Sequence, residues 1–373
     1  MKVLLVYKDY YPVVGGIENH VRLLARLLRS QEGIEASVLV TSPGKHTVVE
    51  RDGDVPVIKA GRLFSAASTP VSPALVRELG RADADIIHLH APYPIAESAY
   101  LLRGRRRPLV VTYHSDVVRQ RLLLRLHRPV LRRVLALASS IVVTSEPYLH
   151  SSPYLAGARD RCRIVPLGLE LAPFLATDEA QAAAIRAAHA GPLVLFVGRF
   201  RYYKGLRYLV DAMRNVPGTL LLVGTGPDEQ PLRRQVQQQG LGEQVVFAGA
   251  VSDRALPAYY HACDVFVLPA CERSEAFGLV QVEAMASGRP VISTELGTGT
   301  SWVNQHGETG LVVPARDSAA LAGALKSLLA DDESRRSMGE RARERALRLF
   351  TAERMAAGVA QTYREVVQTC KQR

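Results

Sequence analysis

Short apolar runs recur through the whole chain, each closed by turn residues and most followed by a stretch of helical period. Lys2–Tyr7, Ala36–Thr41, Asp85–His90, Pro108–His114, Ser140–Thr144 and Arg163–Pro166 are such runs in the first half, with a shorter one at Val57–Lys59. Leu193–Val197, Thr219–Val223, Gln244–Phe247, Val265–Leu268, Val291–Ser293 and Gly310–Val313 repeat the rhythm in the second. A strand that is apolar on both sides must be covered on both faces, which is the situation of a parallel sheet clothed in helices. The expected fold class is therefore α/β. With 373 residues the chain exceeds what one core comfortably serves and fits two such domains. The hinge is expected within Leu167–Gly191, where Gly168, Pro173 and an alanine-rich helix (Gln181–Ala190) lead into a fresh strand. Domains are expected over 1–175 and 176–350, followed by a last segment at 351–373.

Several classes drop out early. No stretch approaches the uncharged length needed to span a bilayer. The opening MKVLLVYKDYYP reads as a first strand rather than a leader. Cys162, Cys263, Cys271 and Cys370 have no metal-ligand spacing and read as reduced thiols. Net charge is +11 and unevenly placed: residues 1–175 carry 24 Lys/Arg against 15 Asp/Glu, and the remainder 23 against 21. A basic first half points to an anionic partner such as lipid headgroups, a lipid diphosphate or nucleic acid.

In parallel sheets, ligands bind beyond the carboxyl ends of the strands. Gly15–Gly16, His90 and His114 all fall at such ends in the first half. Gly15–Gly16 precedes a helix at Ile17–Ser30, and a strand, glycine turn and helix in that order can cradle a phosphate. The turn lacks both the dinucleotide and the P-loop fingerprints. In the second half, Arg199 and Lys204 follow the first strand, placing a planar fork and a point charge where phosphate oxygens would sit. Val223–Pro227 is a second glycine turn, and Gly297 and Gly299 form a third that could wrap phosphates or sugar. The segment Cys271–Thr294 holds Glu275 and Glu283, eight positions apart, the first in a loop and the second inside a helix expected from about Phe277 to Ala286. The backbone N–H groups of Ala276, Phe277, Gly278 and Leu279 at that helix start suit an anion, and the carboxylates suit sugar hydroxyls. Asp52-Gly-Asp54 and Asp83-Ala-Asp85 are the DxD patterns, and neither reads as a metal site.

Glu275-x7-Glu283 with Ala276-Phe-Gly-Leu279 between resembles the signature of retaining GT-B glycosyltransferases of family 4. Arg199-x4-Lys204, Gly224-Thr-Gly-Pro227 and Phe247–Asp253 are similar to that family's pyrophosphate, glycine-turn and nucleobase elements, the last through backbone groups near Val251. Thr112-Tyr-His-Ser-Asp116 with Arg119-Gln-Arg121, Arg201-Tyr-Tyr-Lys-Gly205, Arg273–Gly278 and Gly297–Ser301 resemble the bacterial mannosyl- and rhamnosyltransferases of O-antigen and other surface polysaccharides. The resemblance implies two Rossmann-like domains facing a central cleft, the first binding acceptor and the second a nucleotide-sugar, with the last helix crossing back to the first domain. It implies a GDP-linked mannose or 6-deoxyhexose as donor, a glycan or lipid-linked acceptor, no metal or other cofactor, and retention of anomeric configuration. Glu283 would hold the ribose, Glu275 the sugar's 3- and 4-hydroxyls, Arg199 and Lys204 the diphosphate, helped by Gly15, Gly16 and Phe277–Leu279, with His114 on the sugar.

Gln120–Leu137 places Arg121, Arg125, Arg128 and Arg132 on one helical face and Leu122, Leu126, Val130 and Val134 on another, with Pro129 expected to kink or interrupt it. Its readings are a patch for an anionic membrane surface or a solvated arginine stripe. The implied location is cytoplasmic, peripheral on the inner face of the membrane under the first reading, with no nucleic-acid partner. Other readings are a UDP-sugar-dependent transferase of the same family, a non-catalytic nucleotide- or sugar-binding protein, and a nicotinamide-dependent oxidoreductase. The last needs a GxGxxG turn with an acid about 20 residues on, which no strand here has.

Overall fold

Two mainly parallel sheets account for the recurring apolar runs. The computed structural model describes residues 1–13, 15–66, 69–116, 121–176 and 178–372. The chain divides into a unit of Met1–Leu167 with Ala352–Arg373 and a unit of Gly168–Thr351. The units meet at Leu167/Gly168 and Thr351/Ala352, where the sequence reading set its boundaries after residues 175 and 350.

The first unit holds β1 (Lys2–Val6), β2 (Glu35–Thr41), β3 (Val48–Asp52), β4 (Val55–Ala60), β5 (Phe64–Ala66), β6 (Thr69–Val71), β7 (Ile86–Ala91), β8 (Leu109–Tyr113), β9 (Ser140–Val143) and β10 (Cys162–Ile164). Its main sheet runs β10-β9-β8-β7-β1-β2-β4-β3, and β5 pairs with β6. Val3 faces Ala36 on one side and Ile86 on the other, so the strand order reverses about β1. All pairings of the main sheet are parallel except β3 against β4, and β5 pairs with β6 antiparallel. Strand β3 escaped the sequence reading because it is an exposed edge with no apolar pattern. Asp52-Gly-Asp54 is its turn, and Asp52 accepts from Arg22 Nε at 2.6 Å, Arg22 Nη2 at 2.9 Å and Tyr10 OH at 2.9 Å. That carboxylate is spent on packing.

The helix Gly16–Arg29 buries Val21, Leu24, Ala25 and Leu28 against this sheet. The C-terminal helix Ala352–Lys371 joins the same core through Met355, Ala356, Val359, Ala360, Tyr363 and Val366. Its Tyr363 hydroxyl lies 2.6 Å from His88 Nδ1, tying the last helix to the middle of β7. The helix Arg121–Leu137 runs through Pro129 without interruption, against expectation. Leu131, Val134 and Leu135 beyond the proline are buried and hold that half in place. Arg125, Arg128 and Arg132 are exposed. Arg119 lies outside the described residues, as does the side chain of Arg121.

The second unit holds β11 (Leu193–Val197), β12 (Thr219–Val223), β13 (Val245–Gly249), β14 (Val265–Leu268), β15 (Val291–Glu295) and β16 (Gly310–Pro314), in the order β13-β12-β11-β14-β15-β16. All five pairings are parallel. Here the order reverses between β11 and β14, whose onward connections lead to β12 on one side and β15 on the other, the position in such sheets at which ligands commonly bind. No described helix is long and apolar enough to cross a membrane. All four cysteines are free thiols.

Candidate active site

The loops after β11 and β14 are stitched together before either can offer a side chain. Cys271 N donates to Tyr203 O at 2.8 Å and Cys271 Sγ to Tyr202 O at 3.3 Å. Gly205 has φ of 68°, and a Cβ there would overlap the Pro269 carbonyl oxygen, so only glycine permits this approach. The loop after β15 closes on the same strip: Thr298 Oγ1 donates to Glu275 O at 2.9 Å and Gly299 N to Ala276 O at 2.7 Å.

Within this frame Lys204 and Glu275 meet. Lys204 Nζ lies 2.5 Å from Glu275 Oε2, with both residues buried. Burial pulls the ammonium's pKa down, but Glu275 and Tyr203 outweigh it and the net shift is upward. Lys204 is therefore held as a cation. Lys204 engages one of the two carboxylate oxygens, Oε2, through charge and hydrogen bonding together. That leaves acceptor capacity on a buried carboxylate. Arg199, in the same loop, is exposed.

The helix carrying Glu283 begins at Leu279, two residues later than expected. Gly278 is the reason: it sits at φ 79° as the N-cap and turns the chain into the helix. No side chain caps that end. Among the described residues, the N–H groups of Ala276, Phe277, Gly278 and Leu279 have no backbone acceptor. Glu283, one turn inside the helix, accepts from Tyr260 OH at 2.6 Å. Burial raises its carboxyl pKa to about 7, with Asp253 pushing the same way and Tyr260 and Lys204 opposing. Asp253 belongs to the loop that carries Val251 after β13, so that loop and Glu283 share one neighbourhood.

The expected residues of the first unit gather at its own switch point, beyond β1 and β7. His114 Nε2 lies 2.9 Å from His90 Nδ1. The His20 ring stands edge-on to both, with centroids 5.5 Å from His90 and 5.2 Å from His114. His88 stacks on His90 at 4.5 Å. Burial lowers all four imidazole pKa values, to about 4 for His20 and about 3 for His88, and well below the ordinary value for His90 and His114. The cluster is neutral at physiological pH. Gly15 and Gly16 start the helix that carries His20, and Gly15 caps it without a side chain. Nitrogens of His20, His90 and His114 lie within 4.8 Å of one another. Since His90 Nδ1 and His114 Nε2 are engaged with each other, the arrangement does not present three lone pairs converging on an ion.

Sequence reasoning missed His20 and Tyr260. His20 had a signal: it interrupts the apolar face of Val21, Leu24 and Leu28 where the period calls for another hydrophobe. Tyr260 had none, since its partner lies 23 residues away.

Comparison with known proteins places these elements in a family. The family model described as glycosyl transferases group 1 matches residues 178–345, and that described as glycosyltransferase family 4 matches residues 14–172. The chain is 38% identical over 372 residues to O-antigen chain mannosyltransferase C of Escherichia coli, covering 99% of this chain and 100% of that one. It is 37% identical to D-rhamnosyltransferase WbpZ of Pseudomonas aeruginosa, covering 94% and 93%. Among solved structures, a sucrose-phosphate synthase from Thermosynechococcus elongatus superposes with a TM-score of 0.83 at 27% identity, covering 99% of each chain.

The Glu283 environment makes a pH prediction. Its folded pKa is raised from 4.5 to about 7, so the folded chain holds a proton that the unfolded chain has released. Its contribution to stability is full below the lower value and lost as pH rises toward the upper one. Denaturant melts should show wild type losing stability relative to Glu283→Gln from pH 4.5 to 7, then a constant difference above. A difference that does not change with pH contradicts the assignment.

Proposed function

The chain belongs to the glycosyltransferases of group 1 and family 4, GT-B in fold, and from that premise we propose that it transfers mannose or a 6-deoxyhexose from a GDP-linked donor, with retention. The observation that carries this reading is the buried Lys204–Glu275 pair at the switch point between β11 and β14. The choice of sugar leans on the names of the two relatives, one a mannosyltransferase and the other a rhamnosyltransferase. The acceptor in this reading is a glycan or a lipid-linked acceptor of surface polysaccharide or glycolipid synthesis.

In this mechanism the nucleobase rests on the backbone near Val251, and Glu283 takes the ribose hydroxyls. Lys204 and Arg199 hold the diphosphate, joined by the N–H groups of Phe277, Gly278 and Leu279 and by the N-terminal end of their helix. Arg199 is the exposed member and supplies the planar fork. Ala276 keeps the loop in register through its carbonyl bond to Gly299. Glu275 positions Lys204 and offers its open acceptor sites to the sugar's 3- and 4-hydroxyls. The acceptor oxygen bonds to the anomeric carbon as the bond to the phosphate oxygen breaks. The acceptor's proton passes to the departing phosphate on the same face. Stabilising charge on that leaving group is the largest contribution asked of the protein. The residues named need no metal to do this.

Lys204→Ala and Glu275→Ala should each reduce kcat by about 100-fold or more in a donor-turnover assay. Each substitution leaves a buried charge without its partner, so thermal melts must first establish that the variant is folded. Near-normal turnover in either variant removes that residue from the mechanism.

We also propose that the exposed Arg125, Arg128 and Arg132 face, with Arg121 on the same helix, meets an anionic membrane surface. Binding to phosphatidylglycerol vesicles should weaken as salt rises and weaken again when Arg125, Arg128 and Arg132 become Gln. Absent or salt-independent binding ends that reading.

A further inference from the structure

A second concentration of charge lies at the other end of the first unit's sheet. The helix Pro73–Arg81 leads to the amino end of β7, and the π-helical segment Tyr100–Gly104 leads to the amino end of β8. His90 and His114 belong to the carboxyl ends of those same strands. Beside the helix and the π segment is an open cavity of about 930 Å³ lined by Arg77, Arg81, Arg103, Arg105, Arg106 and Arg107. No Asp or Glu is among its lining residues.

These arginines do not all have structural work. Arg107 does: its Nη1 donates to Ala82 O at 2.7 Å and its Nη2 to Leu79 O at 2.8 Å, closing the end of the Pro73 helix. Arg77 pairs with Glu78 at 3.1 Å. Arg81, Arg103, Arg105 and Arg106 are exposed and have no carboxylate partner among the described residues. Gathering unpaired guanidinium groups around one hollow costs repulsion unless an anion offsets it. The backbone favours the gathering nonetheless. A side chain at Gly80 would press on the Arg103 stem, so the bare glycine lets that stem cross the helix. The π turn at Tyr100–Gly104 is a rare geometry that tends to occur at functional positions.

We propose that this cavity is a second binding site, for a group bearing two or more phosphates. Guanidinium forks match phosphate oxygens two at a time, and several around one concavity match a multiply charged group better than a single carboxylate. The size is that of a small-ligand pocket rather than a flat face. The group can belong to a free polyphosphate or to phospholipid headgroups, and Leu102 on the rim, 71% exposed, would lie against acyl chains in the second case. The proposal does not depend on the assignment of the donor site, which rests on none of the residues lining this cavity.

The test titrates inorganic tripolyphosphate by calorimetry into wild type, Lys204→Ala and the triple variant Arg81→Gln/Arg105→Gln/Arg106→Gln. Arg107 is left intact because it holds the helix end, and the three substituted side chains are exposed. The triple variant should bind about tenfold more weakly or worse, while Lys204→Ala keeps the cavity's affinity. Cardiolipin vesicles, whose headgroup carries two phosphates, separate the sources when every chain compared also carries Arg125→Gln, Arg128→Gln and Arg132→Gln, so that the other arginine face is silent. If the headgroup is the ligand, the triple variant loses vesicle binding and tripolyphosphate competes for it. If a free polyphosphate is the ligand, vesicle binding is unchanged while tripolyphosphate binding still falls. Tripolyphosphate affinity unchanged in the triple variant, or lost only in Lys204→Ala, overturns the proposal.

Discussion

The second unit is arranged around one ion pair. A lysine ammonium and a glutamate carboxylate, both buried, sit 2.5 Å apart where the sheet order reverses about β11. Taking two charges out of water is costly, and a buried pair commonly adds little net stability. Its retention is better understood as preparation of a cation than as packing. The rest of the neighbourhood serves that preparation. Gly205 removes the side chain that would block the approach of two loops, Cys271 bonds across them, and Thr298 and Gly299 fix the backbone on either side of Glu275 and Ala276.

The two units use the same logic with different chemistry. In each, the candidate side chains gather around the strands at which the order reverses. The second unit puts fixed charge there, and the first puts four buried, neutral imidazoles. One end of the histidine group is anchored on Tyr363 of the C-terminal helix through His88. The chain's last element therefore supports the histidine cluster of the unit in which the chain began.

Much of this was legible in the residues. Parallel strands with no polar alternation announce themselves, and thirteen of the sixteen strands, all but β3, β5 and β6, are long or apolar enough to read. Glu275, Glu283, Arg199 and Lys204 carried both a physical rationale and a family likeness, and the family is the one the relatives show. What could not be read depended on tertiary approach. Strand β3 is exposed and has no pattern. The start of the Glu283 helix turns on Gly278 adopting a left-handed conformation, which a sequence of good helix formers conceals. Pro129 looked like a break, yet burial beyond it carries the helix through. Tyr260 acts on Glu283 only because the fold brings distant segments together.

Amide hydrogen exchange of the wild-type chain with and without GDP tests the central claim most directly. The account predicts that added GDP slows exchange in 199–205 and 275–283, the segments that carry the ion pair, and that Lys204→Ala abolishes this protection. Protection confined to other segments, or equal protection in wild type and Lys204→Ala, would contradict it.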